Sequence, residues 1–559
     1  MSEERVHIEI DGRPLQARRG AMIIEVADEA GIHIPRFCYH KKLSVAANCR
    51  MCLVEVERTP KPLPACATPV AEGMKIKTRS PLARDAQKST MEFLLINHPL
   101  DCPICDQGGE CELQDVAMGF GGDVSRFQER KRVVRDKDIG PLIATDMTRC
   151  IHCTRCVRFG AEVAGIRELG ATGRGEHMEI GTYIEHSVDS ELSGNVIDLC
   201  PVGALTSKPF RFSARAWEML QRDTIAAHDC IGSNLHVHVR RNRIMRVVPR
   251  ENEAVNETWI SDRDRFSYQG LYGDDRLAAP LIKGSGGWQQ TDWPTALSAA
   301  AAGLRRVLAE RGAQQLGALA SPSATLEELY LLQRLVRGLG SHNIDHRLRQ
   351  GDFRDQDVAP LFPWLGQSIA ALETLDAALV VGSHTRKEQP LANHRLRKAA
   401  LRGSALMFVN PVAFEFNYPV AEAVVATPAG MLQALAAIAK ALGGKTKGSL
   451  AKLLAGGRAG GRARGRGSEE GRECRGAPGE PGGGPSRRLG ATGAGRLHCP
   501  AGRRKAWLPP RRGQQRRCLD CGGRAASWSG RAAPRDSGPR CPRHGASGAG
   551  GLPAVGRRA

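Results

Sequence analysis

Val6 to Ile10 (VHIEI) alternates apolar and polar residues, turns at Asp11-Gly12 and resumes toward Leu15, a pattern that predicts a β-hairpin. Ala21 to Ala30 (AMIIEVADEA) has apolar positions at helical spacing and stops at Gly31. A second helix is predicted from Ala83 to Asn97, running into a loop at His98 to Cys111, and a further cysteine-bearing segment extends from Arg149 to Pro209. Between Ile225 and Arg265 the pattern is β-like, centred on LHVHVRRNRIMRVV. After the glycine-rich turn at 284–287 the period changes. Thr325 to Gly340 (TLEELYLLQRLVRGLG) is helical, with Thr325 and Glu328 spaced as a capping box. Ala377 to Gly382 is a buried-strand pattern, Ala392 to Leu401 is helical and Leu406 to Val409 is again a strand, so this part is α/β of the βαβ type. It is cut short near residue 455.

Composition changes the picture mainly at that point. The chain has 559 residues, enough for several domains, with 41% hydrophobic and 25% charged residues. No apolar run approaches the ~20 residues that span a bilayer, so any membrane association is expected to be peripheral. Met1-Ser2-Glu3-Glu4 has neither the cationic and apolar start of an export signal nor the acid-poor composition of a transit peptide, which predicts that the protein stays where it is made. The formal charge of +21 would invite a nucleic-acid reading, but residues 451–559 hold 24 Lys+Arg against 6 Asp+Glu and so carry +18 of it. An RNA-binding reading is therefore restricted to the tail, and no nucleic-acid partner is expected for the rest. The tail, 456–559, also has abundant Gly, Arg, Ala and Pro with no sustained period, which predicts disorder. Its abrupt onset in mid-domain points to a frameshift in a GC-rich gene. Cys518, Cys521, Cys541 and His544 there have a ribbon-like zinc spacing without the surrounding β pattern.

Seventeen cysteines, clustered as C-x2-C groups in a chain without an export signal, read as soft metal ligands and not as disulfides. Cys38, Cys49, Cys52 and Cys66 are spaced C-x10-C-x2-C-x13-C; with the hairpin and short helix they suit a ferredoxin-like β-grasp domain whose loop and returning chain supply four thiolates to a 2Fe-2S cluster. Zinc or buried free thiols are the alternatives. His98, Cys102, Cys105 and Cys111 offer three thiolates and an imidazole, enough for a 4Fe-4S cubane or for structural zinc. Cys150, Cys153 and Cys156 (CIHCTRC), with Cys200 followed by Pro201, form the C-x2-C-x2-C and remote Cys-Pro arrangement of a 4Fe-4S site. His152, between ligands, reads as solvated or supporting. Cys230 stands where a further site could begin, yet no cysteine follows until Cys474; it reads as a small buried residue, with His236 and His238 on one strand face.

These three ligand sets in this order, the stretch Asn97 to Asp115, the run Cys200 to Pro209 (CPVGALTSKP) and Trp259 to Arg263 (WISDR) closely resemble the large iron-sulfur subunit of respiratory NADH-quinone oxidoreductase (complex I), the 75 kDa subunit of the mitochondrial enzyme and its bacterial counterpart. The resemblance implies a multidomain chain of α+β and α/β class. Its parts would be a 2Fe-2S β-grasp domain (1–80), a 4Fe-4S module with one histidine and three cysteines (81–120), a four-cysteine 4Fe-4S module (121–220), the β-rich start of a molybdopterin-oxidoreductase-like region (221–275), a truncated α/β domain (276–455) and the tail. It assigns 2Fe-2S to Cys38, Cys49, Cys52 and Cys66, one 4Fe-4S to His98, Cys102, Cys105 and Cys111, and another to Cys150, Cys153, Cys156 and Cys200. Some members carry an additional 4Fe-4S near Cys230, whose remaining ligands this sequence lacks, so three clusters are expected. No molybdopterin is expected, and residues 231–473 contain no cysteine to ligate molybdenum.

Iron-sulfur clusters pass one electron at a time whereas NADH gives up two, so a flavin in a partner must divide the pair. No G-x-G-x-x-G follows a strand here to suggest a dinucleotide site in this chain. The implied role is a wire between a flavin-bearing, NADH-oxidising subunit and a ferredoxin-type 4Fe-4S subunit leading to quinone-proximal subunits, at the cytoplasmic face of a bacterial inner membrane. No residue is expected to act as acid, base or nucleophile. The competing enzyme reading is the catalytic subunit of an NAD-linked formate dehydrogenase, which would require molybdenum; an iron-only hydrogenase would need more cysteines after residue 210.

Overall fold

In the computed structural model, which describes residues 4–443 except 183, 185, 348–356, 358 and 361–363, the hairpin forms as the alternation predicts. Strand Arg5–Ile10 buries Val6, Ile8 and Ile10 on one face and pairs antiparallel with Arg13–Arg18. Asp11 (φ 50°) and Gly12 (φ 80°) supply the two left-handed positions of the turn. The Asp11 carboxylate then accepts from Thr78 N at 2.7 Å and Thr78 Oγ1 at 2.5 Å, which fixes the turn to the end of the parallel strand Met74–Lys77. The sheet has five strands in the order Arg13–Arg18, Arg5–Ile10, Met74–Lys77, Leu53–Val56, Leu63–Pro64. Helix Ile23–Glu29 puts Ile23, Ile24, Val26 and Ala27 into the same core, which also takes in Cys52 and Cys66.

Helix Pro81–Leu95 starts with the Ser80 hydroxyl accepting from Ala83 N at 3.2 Å and Pro81 in the first turn. Its last carbonyls are met by Lys131 Nζ, at 3.1 Å from Leu95 O and 2.7 Å from Ile96 O. After the loop 98–111 a short helix, Glu112–Phe120, follows. The next segment has little regular structure: helices Arg155–Phe159 and Asn195–Leu199 and two two-stranded pairs, Ile143–Thr145 with Leu205–Ser207 and Gly170–Thr172 with Glu179–Gly181. The β-like stretch becomes a three-stranded antiparallel sheet, Leu220–Ile225, Asn234–Arg240 and Arg243–Pro249, whose second turn is Arg241-Asn242 at φ 50° and 59°.

Beyond residue 276, after an antiparallel pair (Leu281–Gly284 with Gly287–Gln290), the predicted βαβ pattern is present among the described residues, with helices Leu326–Gly338 and Pro390–Leu401 each connecting parallel strands, in two small parallel sheets. One is Gly317–Leu319 with Asn343–Asp345, and the other Ala377–Val381, Ala405–Asn410 and Glu422–Val425. The capping box at Thr325 and Glu328 is present, with Glu328 N donating to Thr325 Oγ1 at 3.2 Å and Thr325 N to Glu328 Oε2 at 2.8 Å. Helices Trp293–Arg311 and Pro428–Ala441 are additions to the predicted set. The tail and its zinc-like spacing lie outside the described residues. Among the described residues no helix is long and apolar enough to cross a membrane.

The larger core is continuous through these parts. It runs from Phe37, Met51 and Met91 through Phe159, Leu199 and Trp259 to Leu391, Leu396 and Phe408. Helix Pro390–Leu401 is buried along nearly all its length, including His394, Arg395 and Arg397. Buried polar groups demand partners: Glu257 takes His394 Nε2 at 3.2 Å and Arg395 at 3.2 Å, and pairs with Lys398, while Arg397 donates to Asn417 O at 3.0 Å and Ala161 O at 2.9 Å. Burial alone would raise the Glu257 pKa, but the hydrogen bonds from His394 and Lys398 outweigh it and hold the carboxyl below its ordinary value. Burial also lowers the His394 pKa, so the imidazole is neutral when it donates.

Because both folded pKa values are depressed, both groups contribute stability that is complete above their unfolded values and is lost as the pH falls through the folded ones. Acid should therefore release this docking in two stages, starting below about 6.5 for histidine and about 4.3 for the carboxyl. Replacing Glu257 by Gln should lower stability by about 3 kcal/mol and remove the carboxyl stage; urea denaturation as a function of pH measures both.

Candidate metal centres

Four sulfurs meet beside the ferredoxin-type sheet. Cys38 hydrogen-bonds with Cys49 and with Cys66, and Cys66 also with Cys52, so the four thiols expected from the sequence adjoin one another in one buried loop system. Their pKa values split accordingly: Cys38 and Cys52 are drawn down by side-chain hydrogen bonds from their neighbours, while Cys49 and Cys66 are pushed up as the donors. The Cys38 amide adds a further bond to Cys49 Sγ at 3.4 Å. Thiols that share protons in this way present thiolate character toward a cation.

In the second group Cys105 and Cys111 are buried and Cys102 is exposed. Burial pushes Cys111 up to about 11, with Cys105 and Cys102 near enough to add to the shift. Pro201 O lies 3.7 Å from Cys111 Sγ, and a Cβ on Gly203 would stand 2.1 Å from Cys105 Sγ, so the absence of a side chain there is what admits the sulfur. Gly109 (φ 92°) is covered by the Trp217 ring, and Arg215 bonds the carbonyls of Pro103 and Cys105, closing the loop from outside. His98 Nδ1 is buried with no hydrogen-bond partner among the described residues. Burial, then Arg149, lowers its pKa to about 4, which leaves a neutral imidazole, the form that binds metal. No hydrogen bond joins His98 directly to the three thiols among the described residues. Arg149, whose charge acts on His98, bonds Asp101 Oδ2 at 3.1 Å and Gly203 O at 3.4 Å.

Cys153, Cys156 and Cys200 are buried and Cys150 half-buried. Burial raises all four thiol pKa values, and Cys153, Cys150 and Cys200 each raise that of Cys156, which places the remote Cys200 among the other three. His152 and Thr154 adopt left-handed φ of 54° and 60° in this loop. The His152 imidazole meets Arg132 at 3.1 Å, and its amide donates to Cys150 Sγ at 3.4 Å, a supporting position. The WISDR segment braces the return: Asn195 exchanges bonds with Ile260, and Asp262 accepts from Ser193 Oγ and Gly194 N.

Among the described residues no three His, Cys, Asp or Glu side chains converge as a single metal ion requires. A cubane places each thiolate on a different iron and so spaces its ligands more widely than one ion does, and the unpartnered His98 nitrogen and the Gly203 clearance suit such a group. Cys230 corrects the expectation of a buried residue. It is exposed at a loop, with Gln389 Nε2 donating to its sulfur at 3.2 Å, while the following Ile231 and Ser233 take the buried positions. His236 and His238 do share a strand face, both beside Gln221.

The residues that sequence reading passed over are the arginines between the cysteines. Arg158 donates to Cys38 O at 2.5 Å and Cys153 O at 3.2 Å, and Asn48 Nδ2 to His152 O at 3.1 Å, stitching the first thiol loop to the third. Their positions within CIHCTRCVRF were the available signal.

Fold and donor sets together define an iron-sulfur protein with several cluster-binding modules followed by a molybdopterin-oxidoreductase-type region. Family models agree: a 2Fe-2S iron-sulfur cluster binding domain matches residues 3–81, an NADH-ubiquinone oxidoreductase-G iron-sulfur binding region 87–126, and a ferredoxin-like domain of NADH-quinone oxidoreductase subunit 3 140–206. An NDSU1/NuoG-like 4Fe-4S domain matches 220–269, where Cys230 is the one cysteine, and molybdopterin oxidoreductase matches 276–466. The chain is 47% identical over 416 residues to the NADH-ubiquinone oxidoreductase 75 kDa subunit of Reclinomonas americana (71% of this chain, 59% of that one). It is 48% identical over 422 residues to the mitochondrial NADH dehydrogenase [ubiquinone] iron-sulfur protein 1 of Solanum tuberosum (74% and 56%), and 48% identical over 402 residues to the mitochondrial NADH-ubiquinone oxidoreductase 78 kDa subunit of Neurospora crassa (71% and 54%). The chain is similar to these large iron-sulfur subunits, and it spans a little over half the length of the curated relatives it matches. These relatives do not favour the formate dehydrogenase alternative.

Gly203→Ala should displace Cys105 Sγ and cost the second site its cluster, a loss of about four irons per chain with the others retained; iron and acid-labile sulfide assays on the purified variant measure it.

Proposed function

We propose that this chain is an electron-transfer subunit of an NADH-quinone oxidoreductase, holding one 2Fe-2S cluster on Cys38, Cys49, Cys52 and Cys66, one 4Fe-4S cluster on His98, Cys102, Cys105 and Cys111, and another on Cys150, Cys153, Cys156 and Cys200. The clusters would supply one-electron chemistry; the chain's own residues fix their positions and their surroundings. The observation that carries the reading is the interlocking of the three donor loops through Arg158, Arg149 and the Pro201–Gly203 segment, which brings ligand-bearing backbone from all three sites into direct contact. Electrons would enter from a flavin-bearing, NADH-oxidising subunit and leave toward a ferredoxin-type 4Fe-4S subunit and the quinone-proximal subunits. The chain would sit peripherally at the cytoplasmic face of the bacterial inner membrane. Molybdopterin has no part in this reading.

Purified, anaerobically handled protein should contain about ten irons with matching sulfide, and give one 2Fe-2S and two 4Fe-4S signals by low-temperature EPR after reduction. Colourless protein holding zinc alone would overturn the assignment.

A further inference from the structure

Arg155 lies between Cys153 and Cys156, and its guanidinium reaches all three donor sets. Nη1 donates to Glu112 Oε1 at 2.8 Å and to Leu199 O at 3.3 Å; Nη2 donates to Tyr39 O at 3.0 Å and to Glu112 Oε2 at 3.1 Å. Each partner is the immediate neighbour of a ligand candidate: Tyr39 follows Cys38, Glu112 follows Cys111 and Leu199 precedes Cys200. The side chain is 5% exposed, while that of Glu112 is 44% exposed.

We propose that Arg155 is a positioning residue shared by the three clusters, which sets their mutual placement and, as a buried cation only partly balanced by Glu112, raises their reduction potentials. The proposal rests on the cluster assignment above. A planar fork with five donors can bond carbonyls from two loops and a carboxylate from a third at once, which a single ammonium cannot reproduce. Its charge acts in a poorly screened interior, whereas the Glu112 charge is partly screened by water, so the pair leaves a net positive field. Reduction adds one negative charge to a cluster, and that field favours it. Three sites tied to one guanidinium also respond together, so the steps between them stay matched when the local environment changes.

The test is a redox titration followed by low-temperature EPR on the purified full chain carrying its clusters. Arg155→Met should lower the potentials of the two 4Fe-4S centres by at least tenfold in reduction equilibrium, about 59 mV for a one-electron couple. Glu112→Gln, which removes the anion and keeps the arginine, should shift them in the opposite direction. Arg155→Lys should retain most of the potential while altering the magnetic interaction between centres, since charge survives and the carbonyl bonds do not. Should Arg155→Met fail to hold clusters, the retained potential of the Lys variant and the rise in the Gln variant still decide. Unchanged potentials in variants with intact signals, or equal drops in the Met and Lys variants, would overturn the proposal. Absence of clusters in the unmutated protein would instead overturn the assignment beneath it.

Discussion

Sulfur ligands have to converge from loops, and loops leave backbone carbonyls without ladder partners. In this chain arginines answer that demand, two of them buried (Arg149 and Arg155) and one half-buried (Arg158). Arg149, Arg155 and Arg158, all beside or between cysteines of one short run, donate to Gly203 O, Leu199 O, Tyr39 O, Cys38 O and Cys153 O. The bonds to Leu199 O, Tyr39 O and Cys38 O satisfy groups at ligand candidates and fix distant segments to the Cys150–Cys156 run, while the bond to Cys153 O is made within that run. The placement of the donor sets thus depends on guanidinium geometry more than on helices or strands, which are few and short between residues 98 and 210.

A second charged knot holds the rear of the molecule to the front. Glu257 lies at the end of the β-rich segment with a left-handed φ of 53°, and gathers His394, Arg395 and Lys398 from a helix that is otherwise immersed in the core. Trp259, two residues on, donates to the same carboxylate at 3.1 Å and packs at 5.1 Å from Phe159, within one turn of Cys156. Packing and ion pairing therefore connect the α/β region to the loop that carries Cys150, Cys153 and Cys156, and the same core is shared by both. The exposed helix Trp293–Arg311 lies apart from this knot and buries none of its residues.

As the similarity to large iron-sulfur subunits leads one to expect, a region matching molybdopterin oxidoreductase follows three cluster-type modules, while the chain spans little more than half of its relatives' length. Residues 220–269 match a 4Fe-4S domain with a single cysteine. Its three-stranded sheet nevertheless persists, since strand pairing and the cap at Ser261 do not require sulfur.

Local chemistry was readable from residue order. The Asp11-Gly12 turn, the Thr325 capping box, the cysteine spacings and the shared face of His236 and His238 follow from interactions within a few positions of the chain. Other features were not readable. Arg155 meets partners 43, 44 and 116 residues away, Gly203 matters only because Cys105 packs onto it, and Cys230 meets Gln389, 159 residues away, at the surface. Spacing specifies which atoms can ligate, since that depends on local backbone; which charges and carbonyls surround them depends on distant segments meeting, and only folding brings those together.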